Sequence, residues 1–419
     1  MFFTERTVTD EDIGGYVARH MSDDRISRAY DCYLGRRRID KGRIPEGRPD
    51  NRVNTNLAKY ITDTATGYFM GIPPVYKYST AMAERQLTEV FDRSDEQELD
   101  YRIAEDMSIC GVGYDLVYLD EKGLVRIAAA DPRGAFLISK NDVTETPLAG
   151  VRYWTHRGKT RGEIYYPHMT KQFVLEGGKT VVTGELETPF STPNLQQYRN
   201  NRFLRGDFEP VIDNIDIYNL VLSGATDDLQ SIANAYLVLS GMEKPDDEAL
   251  EVLRTERVIG LPSDGGAEYI TKNLNDSAVE NHKKTLRQDI MQVAGVPDLT
   301  DESFAGNSSG VALNYKLWGI DQLFQKKCAA MDRGLFDRMR RIAEALYATG
   351  AGDIGEIEKA VSISFTRNMP RDLSVDVETA VKLNGIVSSR TTWEMLEPVT
   401  GVSCTDEEER SCYRMRELP

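Results

Sequence analysis

The sequence is poor in the groups on which covalent and metal chemistry depend. Its 419 residues include four histidines and five cysteines. His20, His156, His168 and His282 show no H-x-x-x-H or H-E-x-x-H spacing, so no two imidazoles are placed for one metal ion. Cys32, Cys110, Cys328, Cys404 and Cys412 are odd in number, scattered and without a C-x-x-C pair, which argues against both a disulfide framework and a zinc cluster. No cofactor is expected. No apolar run approaches the length of a membrane span, and the first ten residues carry an early acid and no apolar core of a secretory signal. The expectation is a chain that stays off membranes and is assembled in a cytoplasm. Excess positive charge is also missing: 51 Lys and Arg face 67 Asp and Glu, a net charge of −16. A lone copy should therefore not hold nucleic acid by neutralising phosphates. A conduit remains open, because a wall of the same sign as DNA lets it slide where a dense Lys/Arg wall would grip it.

What is present is a globular composition, 40% hydrophobic, enough for a core and for two or three domains. The most informative stretch runs from Val293 to Gly350. A helix ends at A-G-V-P, a polar loop T-D-E-S-F-A-G-N-S-S-G follows, and then apolar residues recur at Leu313, Leu317, Ile320, Phe324, Met331, Leu335, Met339, Ile342 and Leu346. Steps of three and four keep one stripe on one face, a helix of about 40 residues and roughly 60 Å. Mean globular helices have about 11–12 residues, so one of this length suits an assembly better than a small domain.

Two short capped helices open the chain, after Thr9 and after Ser22, the second stopping at Gly35. A basic segment follows, Arg36-Arg37-Arg38, Lys41, Arg43, Arg48 and Arg52, diluted by acids and broken by Pro45 and Pro49. It suits a solvated loop, inter-subunit salt bridges or a nucleic-acid contact. Asn56–Met70 reads as a helix. From Gly113 to about Thr183, short alternating segments separated by turns such as Glu121-Lys122-Gly123 and Glu176-Gly177-Gly178 read as meandering antiparallel sheet. Asp213–Met242 reads as a long helix with no basic residue, then come a short acidic helix, two strands at Arg257–Leu261 and Glu268–Ile270, and a helix from Ser277 to Ala294. Past Gly350, Val361–Phe365 reads as a strand, and Val375–Leu383, Ser389–Leu396 and Thr405–Arg416 as helices.

Catalytic motifs fail on context. Gly306-Asn307-Ser308-Ser309-Gly310 fits G-x-S-x-G, but no strand precedes it and no histidine lies beyond His282, so Ser308 has no base. Gly158-Lys159-Thr160 and Gly178-Lys179-Thr180 lack the earlier glycine of a phosphate loop, and Gly111-Val112-Gly113 lacks the third glycine of a dinucleotide fingerprint. Asp298, Asp301 and Glu302 do not have calcium-loop spacing. An enzyme reading would be a hydrolase or metal-dependent nuclease using Ser308 or the Asp298/Asp301/Glu302 cluster.

Three stretches carry a resemblance. They are Tyr33-Leu34-Gly35 with N-R-V-N-T-N-L-A-K-Y-I-T-D-T-A-T-G-Y-F-M-G-I-P-P-V-Y (Asn51 to Tyr76), G-V-P-D-L-T-D-E-S-F-A-G-N-S-S-G-V-A-L (Gly295 to Leu313), and L-N-G-I-V-S-S-R-T-T-W-E-M-L-E-P-V-T (Leu383 to Thr400). In that order the chain resembles the portal proteins of tailed bacteriophages, in the branch of long-tailed phages that infect Gram-positive bacteria. The resemblance implies an α+β portal fold and no enzymatic activity. It assigns residues 1–212 to a β-rich wing, 213–242 to a first stem helix, 243–276 to a small α/β clip and 277–296 to a second stem helix. Residues 297–310 become a tunnel loop, 311–369 a long kinked helix with a returning wing strand, and 370–419 a C-terminal helical segment or reduced crown. It further implies a dodecameric ring in the virion, at the capsid portal vertex. Double-stranded DNA would pass through during packaging and ejection, with the terminase large subunit, head-tail adaptor, major capsid and scaffolding proteins as partners. Asp301, Glu302, Ser303, Phe304 and Asn307 would face DNA. Glu251, Arg254, Arg257, Asp264, Glu268 and Lys272 would meet motor and adaptor. Gly319 and Gly334, each about 1 kcal/mol less favourable in a helix than Ala, are expected bend points.

Overall fold

The alternation of helical and strand periodicities along the chain folds as an α+β protein. The computed structural model describes residues 2–44, 48–233, 236–240, 266–270, 276–300, 310–352, 357, 361–369, 373–383, 385–400 and 402. Two compact units divide it, Met1–Arg367 and Asn368–Pro419. The first begins with β1 (Phe2–Thr4), α1 (Asp10–Ser22), α2 (Arg25–Tyr33), α3 (Leu57–Met70), β2 (Val75–Tyr78), α4 (Ala81–Ser94) and α5 (Glu96–Cys110). Strands follow: β3 (Val112–Leu119), β4 (Val125–Ala130), β5 (Ala135–Lys140), β6 (Pro147–His156), β7 (Lys159–Tyr166), β8 (Met169–Glu176), β9 (Lys179–Glu187) and β10 (Leu195–Arg199). Then come α6 (Ile212–Ala233), β11 (Tyr236–Ser240), β12 (Gly266–Ile270), α7 (Asp276–Ala294), α8 (Gly310–Ala348) and β13 (Val361–Ser364). In the second unit α9 (Leu373–Leu383) and α10 (Ser389–Thr400) pack on each other.

The stretch read as one meander from Gly113 divides between two sheets: β3 and β4 pair in one with β10, while β5 to β9 form a meander in the other, with β1 added in parallel beside β5. The lysine-bearing Gly158 and Gly178 motifs are hairpin turns of this sheet, with φ of 74° and 79°. Ile13 and Val17 of α1 close one core against Phe136, Ile138, Val151, Ile164 and Phe173 of the sheet. A second core joins the helices to the sheet β10-β3-β4 through Ile61, Ile109, Tyr114, Leu195, Ile215, Tyr218, Ile290 and Met291. β13 returns to pair antiparallel with β2.

One expected helix needs correction. The helix read over Asp213–Met242 ends at Ala233, and Tyr236–Ser240 is instead a strand paired with Gly266–Ile270. A short apolar run such as Y-L-V-L satisfies both periods, and pairing with a partner strand decides it. Glu268–Ile270 is a strand as read, while the Arg257–Leu261 strand and the Thr405–Arg416 helix lie outside the described residues. Helices α4 and α5 and strand β10 were not read at all, although Leu87, Val90, Leu99, Ile103 and Met107 carry the helical period.

The basic segment is a strap on α6. Arg37 pairs with Asp216 at 2.6 Å, and Lys41 pairs with Asp227, which also accepts from the Asn51 amide at 2.8 Å. The Val53 and Thr55 amides donate to Ser223 Oγ and Asn219 Oδ1. Exposure alternates along the strap, with Arg36 and Arg38 out and Arg37 and Ile39 turned in.

Helix α8 is held to the body by buried cations on its core stripe. Lys327 Nζ lies 2.8 Å from Asp207 and donates to Asn200 Oδ1 at 2.7 Å. Arg338 Nε donates to Asp115 at 2.6 Å, its Nη2 lies 2.6 Å from Asp100, and Glu96 stands at 3.9 Å. Arg341 donates to the Pro193 carbonyl and to Gln196. Gly334 lets this helix approach Tyr198: a Cβ there would stand 2.4 Å from the ring. Gly319 does the same at its crossing with Gly295, where a Cβ would meet the Gly295 carbonyl oxygen at 3.2 Å. The helix is continuous through both glycines over 39 residues.

One guanidinium cannot offset three carboxylates. Burial, with Asp100 adjacent, pushes Glu96 up to about 8, so it keeps its proton at neutral pH. Because the folded value lies above the unfolded one, the stability tied to this group is complete below the ordinary Glu range, about 4.3, and is lost as pH rises through about 8. The melting temperature of wild type should thus fall more steeply between about pH 5 and about pH 9 than that of Glu96→Gln. Parallel pH profiles for the two proteins would contradict this. Arg338→Met, which leaves Asp100 and Asp115 buried without their cation, should cost about 3–5 kcal/mol in denaturant titration.

Candidate functional site

Helix α7 ends in a double-bonded turn: Val296 N donates to Met291 O and Gly295 N to Gln292 O, with Gly295 at φ 71°. The motif A-G-V-P thus works as a helix stop that turns the chain sharply. Val296 is buried, and the turn sits against α8 at Gly319. Immediately beyond, Arg287 of α7 reaches forward to Asp298, with Nε at 2.5 Å and Nη2 at 3.0 Å from its two oxygens. Asp298 also accepts from Thr300 N at 3.1 Å and Thr300 Oγ1 at 2.7 Å. The Arg287 hydrogen bonds, aided by those of Thr300, pull Asp298 down to about 2. Tyr60 of α3 clasps the same segment, its hydroxyl donating to Pro297 O and accepting from Leu299 N, both at 3.0 Å.

The segment entering the polar loop is therefore fixed on three elements, α3, α7 and α8. Helix α8 begins at Gly310 and extends nine residues, about 14 Å, before the Gly319 crossing. The first turns of α8 thus precede the part of the helix that the buried cations lock.

Asp301, Glu302, Ser303, Phe304 and Asn307 lie outside the described residues, as do Ser308, Glu251, Arg254, Arg257, Asp264 and Lys272. Glu268 stands on β12, its backbone opposite Val238. Gly319 and Gly334 are within α8 and take part in the close approaches above. Reasoning from sequence missed Arg287 and Tyr60. The signal was present in the spacing, because Arg287 lies two turns before the helix stop, and a carboxylate just past such a stop is within its reach. Asp298, named in the enzyme reading, is spent on Arg287 and Thr300.

With this geometry established, comparison with known proteins is direct. Residues 18–411 match the family model described as phage portal protein, SPP1 Gp6-like. A curated relative, the portal protein of Clostridium phage phiCD119, is 21% identical over 373 residues, covering 81% of this chain and 80% of the relative. Among solved structures, a chain from the neck of an empty GTA particle, computed with C6 symmetry, superposes with a TM-score of 0.51 at 12% identity, over 83% of this chain and 90% of that one. At such identity the likeness is one of fold. A chain from the virion of the native gene transfer agent particle gives a TM-score of 0.47 at 11% identity, over 90% of this chain and 99% of that one.

Asp298→Asn should loosen the loop base by about 1–2 kcal/mol, the value of a half-buried charge-assisted bond. A depressed carboxylate contributes stability above its unfolded value and loses it as pH falls through the folded one, here about 2. The difference between wild type and Asp298→Asn in denaturant titration should therefore be full at neutral pH and shrink below about pH 3. A difference that is constant across that range would refute the assignment.

Proposed function

This chain belongs to the SPP1 Gp6-like family of phage portal proteins, and from that premise we propose how its parts serve a portal. Twelve copies pack side by side into a ring at one capsid vertex, through which double-stranded DNA enters during packaging and leaves on ejection. Residues 1–212 form the wing, α6 and α7 the stem helices, and the segment between them the clip, where Glu251, Arg254, Arg257, Asp264, Glu268 and Lys272 meet the terminase large subunit and later the head-tail adaptor. Residues 297–310 form the tunnel loop, and the segment from 370 onward a reduced crown. Major capsid and scaffolding proteins meet the ring from outside, and assembly takes place in the host cytoplasm. Gly319 and Gly334 serve as bend points in addition to their packing role.

The observation that supports this most is the loop base. A loop that touches a moving duplex must be anchored firmly at its root, and the root here is clamped by Arg287–Asp298, by Tyr60 and by the Gly295–Gly319 crossing. Its polar, acid-bearing sequence, with Asp301 and Glu302, suits contact without grip. From Ser277 to Gly350 the chain holds ten basic and nine acidic residues, of which Lys327, Arg338 and Arg341 are buried in the body and add no charge to a wall. The protein does no covalent chemistry of its own in this reading, and Asp298, with its charge spent on Arg287, is unsuited to metal or base work.

The purified protein should give a large ring by native mass spectrometry, and a chain monomeric under all conditions would count heavily against the proposal. Asp301→Lys/Glu302→Lys should retain DNA and slow packaging in a packaging assay, more so at low salt, since each added phosphate contact strengthens binding. Packaging at the wild-type rate would remove the acidic-loop mechanism.

A further inference from the structure

A cavity of about 520 Å³ opens where the corner between α1 and α2, helix α5, the turn between β4 and β5 and strand β6 meet. Three arginines and two aspartates share its lining with Met21, Ile26 and Trp154. The acids are spent. Asp131 accepts from Arg133 Nη2 at 2.6 Å and from Arg133 Nε at 3.0 Å, and Asp23 accepts from the Arg25 amide at 3.1 Å. His20 adds no charge at neutral pH, because burial pulls it down to about 4, and its Nδ1 lies 2.7 Å from the Tyr153 hydroxyl. The cations keep capacity. Arg152 meets Glu163 at 3.3 Å and lies 5.1 Å from the centre of the Trp154 ring. Arg102 is exposed, and among the described residues no hydrogen bond or ion pair engages it. Met21 is 53% and Trp154 42% exposed, so apolar surface stands open beside these guanidinium groups.

We propose that this cavity receives a carboxylate side chain and an adjacent apolar side chain from a peptide segment of another protein. The carboxylate meets Arg102 and Arg152, whose planar forks match its two oxygens, and the apolar group packs on Trp154 and Met21. Local charge selects this occupant. Three arginines against two aspartates leave one positive charge in excess, enough for one carboxylate, whereas a phosphodiester chain calls for several cations in a row. The open rim selects a peptide over a free small molecule: a small-molecule site covers roughly 70–90% of its ligand, while a segment carried on a larger partner brings its own cover. Arginine, tryptophan and methionine are also the side chains that protein interfaces favour. None of the lining belongs to α6, α7 or α8, so the site is complete in one copy and stands whether or not copies form a ring.

The test uses the full chain and a short, end-capped fluorescent peptide alternating glutamate with phenylalanine, read by fluorescence anisotropy. Matched peptides with glutamine for glutamate, or alanine for phenylalanine, report the charged and apolar parts separately. The glutamate peptide should bind saturably at or below about 1 mM, and both matched peptides about tenfold or more weaker. Arg102→Gln should weaken the glutamate peptide about tenfold and leave the glutamine peptide and the melting temperature unchanged, since this side chain is exposed and holds nothing in the fold. Trp154→Ala should weaken the phenylalanine-bearing peptides. If it also lowers the melting temperature, Met21→Ala, on the last turn of α1, takes its place with the same expected outcome. Equal binding of the glutamate and glutamine peptides, wild-type affinity in Arg102→Gln, or no saturable binding at about 1 mM would each overturn the proposal. Displacement of the peptide by inorganic phosphate or a duplex oligonucleotide more readily than by acetate would assign the arginines to phosphate and defeat it. Any of these results would leave the ring reading as it stands.

Discussion

The arrangement depends on cations buried along one helix. Apolar packing alone would permit a helix of 39 residues to slide or rotate by a turn. Lys327, Arg338 and Arg341 prevent this, because each has a partner at one place only: Asp207 and Asn200, then Asp100 and Asp115, then Gln196 and the Pro193 carbonyl. A charge displaced from its partner in a dry interior costs several kcal/mol, so register is enforced at three levels. The proton kept on Glu96 belongs to the same balance, since it lets three carboxylates share one guanidinium.

Fixing the register of that helix fixes everything carried at its start. The Gly319 crossing places the helix stop of α7, the stop places Asp298 under Arg287, and Tyr60 ties the result to α3. The chain thus enters the polar stretch from a root held on three elements.

Much of this was legible in the sequence. Steps of three and four gave α8 nearly to the residue, β-branched alternation gave the meander, and A-G-V-P gave the stop of α7. The parts that were not legible share a cause. Lys327, Arg338 and Arg341 keep the core period of α8 but are charged, and composition alone sends charged residues to the surface until their buried partners, far away in sequence, are known. Tyr236–Ser240 fits helix and strand equally, so only the partner at Gly266–Ile270 could decide. The strap was read as a loop because its hydrogen bonds run to a helix about 170 residues away. Of the candidate site, its root was visible as a motif, while the ion pair that fixes it was not.

The pairing of Tyr236–Ser240 with Gly266–Ile270 has an architectural consequence. Antiparallel partners stand about 5 Å apart, so the polypeptide departs and comes back through a single narrow doorway. Whatever is inserted beyond that doorway can lengthen, shorten or be exchanged for an unrelated sequence without altering the separation of α6 and α7.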